Sequence, residues 1–282
     1  KTDFNLSLTD PRIFDTNVSA GVDAFNRKTN YYSYKAKKTG AGFRLGKSLS
    51  EYDWAGLNYN FADTEITDVV TTTYLKAGKR ITSRISPTFV RDTRDNFLNP
   101  SSGSRHVVRF DLAGLGGAKF HKMLYETSHY WPIVGKLVGM LHGKIAWSDG
   151  YGDDDLPAFE KYYMGGPKSL RGYTIRNVGP KDGSGNPLGG NQSLLLNAEL
   201  QYPFTKGFRG FLFYDRGNLY GGGDNISTTS STWDLANMRD SIGGGIRFLS
   251  PLGPIGFAYG IKLDQATGEE SGEFHFSAGN SF

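Results

Sequence analysis

The chain has 282 residues, of which 38% are hydrophobic, 14% aromatic and 21% charged; 32 basic and 28 acidic side chains leave a formal charge of +4. No stretch approaches the roughly 18 consecutive apolar residues of a spanning helix, so entry into a membrane would have to be by strands. The small positive balance is too diffuse for a nucleic-acid-binding face, and the absence of cysteine suits a cell envelope while discriminating little.

Along the chain, apolar residues recur with period two, the spacing of a strand with unlike faces. Val18, Ala20, Val22 and Ala24 alternate with Ser19, Gly21 and Asp23, and Ala41, Phe43 and Leu45 alternate with Gly40, Gly42, Arg44 and Gly46. Ala55, Leu57, Tyr59 and Phe61 alternate with Gly56, Asn58 and Asn60; Val108, Phe110 and Leu112 alternate with Arg109 and Asp111. Further on, Leu137, Leu141, Ile145 and Trp147 oppose His142, Lys144 and Ser148, and Leu194, Leu196, Ala198 and Leu200 oppose Asn197, Glu199 and Gln201. Runs of about 9 to 11 residues suit a tilted strand crossing a bilayer. A second face carrying charges beside glycine points to a wet lumen.

The pattern predicts fourteen strands, near residues 2–9, 16–28, 34–48, 52–66, 79–93, 104–115, 119–133, 136–150, 158–166, 191–202, 208–220, 238–249, 254–264 and 272–282. An even count is the rule for bacterial barrels. Two of the fourteen fit poorly: Pro87 has no ladder donor, and 119–131 carries long side chains on both faces. Short turns, such as Gly116-Gly117 and Ser250-Pro251-Leu252-Gly253-Pro254, alternate with longer polar loops at 63–78, 173–190 and 221–237. The expectation is all-β: one antiparallel transmembrane β-barrel domain over 1–282.

Between Tyr163 and the polar tract before Gln192 lies Gly165-Gly166-Pro167-Lys168-Ser169-Leu170-Arg171-Gly172-Tyr173, continuing to Gly179-Pro180. Its glycines permit backbone shapes that a side chain forbids, and its arginine carries a permanent charge with five fixed donors. This run resembles the signature of the BamA superfamily of outer-membrane barrels, in which a hydrophobic residue followed by Arg-Gly-Phe/Tyr marks a sixth extracellular loop folded back into the lumen. Three other stretches extend the resemblance over essentially the whole chain. Leu6-Ser7-Leu8-Thr9-Asp10-Pro11 is similar to the end of the family's third strand. Asp92-Thr93-Arg94-Asp95-Asn96, with Pro100 and Gly103-Ser104-Arg105, resembles the periplasmic turn before its eighth strand. Ser250-Pro251-Leu252-Gly253-Pro254 resembles the turn joining its last strands.

Against a sixteen-stranded family barrel, the resemblance implies that the chain starts at the third strand, without the first two strands and the periplasmic POTRA domains. It also implies acidic partners for Arg171 on the inner wall: Glu199, whose neighbours Ala198 and Leu200 belong to the outward set, and Asp215, whose face is shared by Phe211 and Phe213. The family's work is folding and insertion of barrel proteins into the bacterial outer membrane through a lateral seam, with no chemical reaction. Its partners are the lipid bilayer, unfolded barrel clients and accessory lipoproteins, and it implies no nucleic acid, cofactor or metal.

Phe274, Phe276, Ala278 and Phe282 alternate with His275, Ser277 and Gly279, which resembles the terminal-strand signal of outer-membrane barrels. Gly279 is consistent with a weakly paired seam. Enzyme readings find little support. The five histidines lack metal-ligand spacing, no serine sits in a nucleophile elbow, and Gly243-Gly244-Gly245 lies within a strand pattern. A passive porin, a TamA-like barrel and a two-partner secretion transporter remain as alternatives.

Overall fold

The computed structural model describes residues 2–31, 33–70, 77–221, 233–251, 253–265 and 268–279. They form a single antiparallel sheet of 13 strands in sequence order. In the first part are β1 (Thr2–Asp10), β2 (Val18–Asn30), β3 (Lys35–Ser48), β4 (Asp53–Thr67), β5 (Gly78–Asp92), β6 (Gly103–Gly117), β7 (Phe120–Val134) and β8 (Leu137–Gly150). After a long loop come β9 (Gln192–Thr205), β10 (Phe208–Tyr220), β11 (Arg239–Ser250), β12 (Gly253–Lys262) and β13 (Gly272–Ala278). Among the described residues β1 pairs only with β2 and β13 only with β12.

Burial is inverted relative to a water-soluble protein. Leu57, Tyr59 and Phe61 are exposed, as are Leu141, Ile145 and Trp147, whereas Asn197, Glu199, Gln201 and Asp215 are buried. Apolar side chains outward and polar ones inward is the division expected of a sheet standing in lipid around a polar interior. The sheet curls about the residues between β8 and β9, which touch β3, β5 and β7 through Glu160 and β9 and β10 through Arg171. The architecture is an all-β antiparallel barrel wall. Among the described residues no helix is long and apolar enough to cross a membrane.

Thirteen of the fourteen expected strands form, and the expected even count is corrected by the loss of 158–166. That segment opens with a short 3-10 turn, Ala158–Glu160, and then pairs within its own loop through the bridges Tyr162 to Gly190 and Met164 to Val178. Its aromatic residues mimic strand composition, but they pack inward: Phe159 lies against the cluster of Tyr34, Ala36 and Ile66, and Tyr162 against the cluster containing Met164 and Leu170. The two doubtful strands do form. Pro87 pairs with Leu57 on the β4 side, while on the β6 side the ladder steps from Ile85–Leu112 to Thr88–Arg109 with no pair at Pro87, because proline has no N–H to give. In β7 the inward set includes Phe120, Lys122 and Tyr130, all of which find partners inside.

Phe274 and Phe276 are exposed on the outer face of β13. The strand stops at Ala278, and Gly279 lies beyond it with a left-handed φ of 85° and its N–H on the Pro254 carbonyl at 2.8 Å. Phe282, counted in the terminal-strand pattern, lies outside the described residues.

Candidate functional site

The loop between β8 and β9 enters the interior, and Gly165 and Gly166 shape its tip. Both have positive φ, 109° and 100°. The Gly165 N–H donates to Ser169 Oγ at 3.0 Å and the Gly166 N–H to the Leu170 carbonyl at 3.1 Å. The turn so formed sets Leu170 and Arg171 on the inner wall. Leu170 is fully buried in a small apolar cluster with Met164, Tyr173, Val178, Leu195 and Leu219. Complete burial of a leucine contributes about 1.5–3 kcal/mol and here presses the loop onto β9 and β10, which supply Leu195 and Leu219.

Arg171, 2% exposed, meets both acids that the resemblance implied. Its Nε and Nη2 donate to Asp215 Oδ2 and Oδ1 at 2.7 and 2.6 Å, a two-pronged contact, and Nη1 donates to Glu199 Oε1 at 2.5 Å. Its backbone N–H adds a fourth bond, to Asp215 Oδ2 at 3.0 Å. The planar fork matches a carboxylate as no lysine can. Burial opposes the guanidinium charge, but Glu199 and Asp215 outweigh it and raise its proton affinity.

Phe211 and Phe213, which share the face of Asp215, prove to be part of the seat. The guanidinium lies 3.7 Å from the centre of the Phe213 ring and 5.6 Å from that of Phe211, a geometry in which the ring face attracts the cation. The triple glycine of β11 gives these rings their room. Phe213 pairs with Gly243 and Phe211 with Gly245, and a Cβ at either glycine would stand 2.6 Å from the ring opposite.

Every acceptor in the seat is itself held. Asn197 Nδ2 donates to Asp215 Oδ1 at 2.7 Å and to the Ser169 carbonyl at 2.8 Å, while its Oδ1 lies 2.8 Å from His142 Nδ1. Gln201 Nε2 donates to Glu199 Oε2 at 2.6 Å, and Gln201 Oε1 accepts from Arg209. Arg209 Nη1 also reaches the Pro100 carbonyl at 2.8 Å, so a chain of polar contacts runs from the turn between β5 and β6 to Arg171. Tying both carboxylates into one buried network in this way makes the arrangement costly to disturb.

Gly172 and Tyr173 carry the loop to the later strands. Gly172 has φ of 84° and presses on Gly260 of β12: a Cβ at Gly172 would fall 3.0 Å from the Gly260 carbonyl carbon, and one at Gly260 would fall 2.5 Å from the Gly172 nitrogen. The Gly172 N–H donates to His275 Nε2 of β13 at 2.8 Å. The Tyr173 hydroxyl donates to Asp264 and also lies 3.1 Å from the Asp240 carbonyl.

Sequence reasoning singled out Arg171, Glu199 and Asp215, and the structure brings the three together. Phe274 and Phe276 stand apart from them, on the outer face. The reasoning missed His275, Gly260, Asn197, Gln201 and the two phenylalanines as parts of the seat. The polar ones carried a signal: Asn197 and Gln201 flank Glu199 at two-residue spacing on one face. Gly260 and His275 had none, because only the curl of the sheet brings the loop to them. Among the described residues no three acidic or histidine side chains are grouped to hold a metal.

Residues 1–282 match the Omp85 superfamily domain. Over 296 residues the chain is 30% identical to outer membrane protein assembly factor BamA of Nitratidesulfovibrio vulgaris, covering 100% of this chain and 36% of the relative. It is 28% identical over 344 residues to the BamA of Neisseria meningitidis serogroup B, covering 100% of this chain and 42% of that protein. The crystal structure of Haemophilus ducreyi BamA lacking POTRA domains 1–3 shares the fold with a TM-score of 0.87 at 22% identity, over 97% of this chain and 61% of that one. The chain therefore spans well under half the length of these two curated relatives.

Proposed function

Because this chain belongs to the Omp85 superfamily, we propose that it is the barrel of an outer-membrane assembly factor that folds and inserts other β-barrel proteins. Its fold and its relatives place it as an integral outer-membrane protein. The finer reading is that the barrel works without a chemical step. A client strand adds by main-chain hydrogen bonds to the edge left by β13, a mode of recognition largely blind to side chains. The strand that carries Phe274 and Phe276 forms that edge, lipid and unfolded barrel clients are the partners, and accessory lipoproteins act beside it.

The observation that carries this reading is the buried seat of Arg171 on Glu199 and Asp215. A channel that only passed solutes would gain nothing from filling its interior with a loop gripped by wall acids. The seat is read as the device that fixes the loop and, through Gly172 and His275, the position of β13. The test is reconstitution of the full-length protein in liposomes with an unfolded barrel client. Arg171→Ala is expected to slow client folding at least about tenfold, the factor that about 1.4 kcal/mol gives, while the barrel itself remains inserted. An unchanged folding rate would remove the seat from the mechanism.

A further inference from the structure

A second buried charge lies at the opposite end of the same loop. Glu160 closes the 3-10 turn Ala158–Glu160 and is 5% exposed. Its Oε1 accepts from Lys38 Nζ of β3 at 3.2 Å, and its Oε2 from Arg84 Nη1 of β5 at 3.1 Å and Lys122 Nζ of β7 at 3.3 Å. Lys122 Nζ also donates to the Glu160 backbone carbonyl at 2.6 Å. Two aromatic residues close to Glu160 in the chain engage the same bases: Lys38 lies 5.9 Å from the Phe159 ring centre and Lys122 4.7 Å from that of Tyr162. One carboxylate thus gathers three cations from three strands, none of which contributes to the seat of Arg171. Asp111 is the other acid nearby, 3.7 Å from Arg84 and 2.8 Å from Arg109.

We propose that Glu160 is a positioning residue, an anionic tether that fixes the root of the lumen loop to the basic wall of β3, β5 and β7 and thereby holds the Arg171 tip in its seat. The inference rests on the reading of the loop as a working part of the barrel and adds to it a second point of attachment, of opposite sign. A loop fastened at one place can pivot about it. Fastened at both ends, to separate stretches of wall, it acts as a strut between the early and late strands.

The test uses the full-length protein in liposomes with Val178→Cys as a reporter. Val178 belongs to this loop and is buried in the cluster that packs against Leu195 of β9 and Leu219 of β10, so a membrane-impermeant maleimide reaches it only when the loop lifts from the wall. Glu160→Gln is expected to raise the labelling rate about tenfold to a hundredfold, the range for losing hydrogen bonds to a charged group. Removing one base as well, in Glu160→Gln with Arg84→Gln, is expected to recover part of the protection, because Arg84 meets the loop at Glu160 Oε2 and the remaining cations are then less crowded. A general loss of packing would not be reversed in this way. Should Glu160→Gln fail to fold, Lys38→Met and Lys122→Met probe the tether from the wall side.

Labelling unchanged in Glu160→Gln, or in both wall variants, overturns the tether. So does labelling that rises in Glu160→Gln and stays equally high when Arg84 is also replaced. If labelling rises in both Glu160→Gln and Arg171→Ala while client folding is untouched, the tether stands and the functional reading of the loop falls.

Discussion

The two ends of the lumen loop both take a charge out of water, and they do so with different chemistry. At the tip, a guanidinium meets two fully buried carboxylates through a rigid fork and lies on an aromatic ring. At the root, a carboxylate meets two lysines and an arginine whose side chains keep 15–25% of their exposure. The tip is defined by geometry and the root by charge. An ammonium on a flexible stem can follow a moving carboxylate, whereas a planar fork loses its bonds with a small displacement. The loop is therefore held exactingly where it meets β9–β13 and tolerantly where it meets β3–β7.

The sharpest way to break this contrast is at the tip. Arg171→Ala leaves Asp215 buried without its cation and Glu199 with only Arg247, 3.6 Å away, which is expected to destabilise the barrel by roughly 3–5 kcal/mol, read as a fall in the temperature at which its compact electrophoretic form is lost. Arg171→Lys keeps the charge but not the fork and is expected to recover only part of that loss. Full recovery would mean that charge, and not shape, defines the tip as well. Next in size is Gly172→Ala. The residue sits at φ of 84° against Gly260, and a side chain there is expected to cost about 1–3 kcal/mol, measured in the same way.

The smallest expected effect is on pH dependence at the root. Burial pushes the Glu160 carboxyl up, but Lys122, Lys38 and Arg84 outweigh it and hold the group well below the usual 4.5. A carboxyl whose affinity for protons is lowered on folding stabilises fully above its unfolded value and loses that contribution as pH falls through the folded one. Loop protection should therefore be flat at neutral pH and weaken under acid. In Glu160→Gln the acid-dependent part of that profile should shrink, and an unaltered profile would assign the acid response to other groups.

Much of this was legible in the sequence for a simple reason: in a barrel the side-chain period is the architecture. Alternation alone placed Asn197, Glu199 and Gln201 inside and Leu196 and Leu200 outside, and the strand limits follow from it within a few residues. The pattern failed at 158–166, where aromatic residues suggested a strand and instead serve the interior of a loop. There Glu160 went unnoticed, because a lone acid between Phe159 and Lys161 has no periodic signature. Phe211 and Phe213 misled in the other direction: they weighed against an inward Asp215 until the glycines of β11 showed where the rings fit. What the sequence could not give were meetings that depend on curvature, such as Gly172 with Gly260 and Arg209 with the Pro100 carbonyl.

The opposite signs of the two attachments also bear on how the molecule comes together. A hairpin threaded in reverse would set Arg171 among Lys38, Arg84 and Lys122 and bring Glu160 beside Glu199 and Asp215, so both ends would be repelled at once. In a confined interior, where Coulomb forces are stronger than in water, this polarity lets the incoming segment reject the wrong orientation before any close packing has formed.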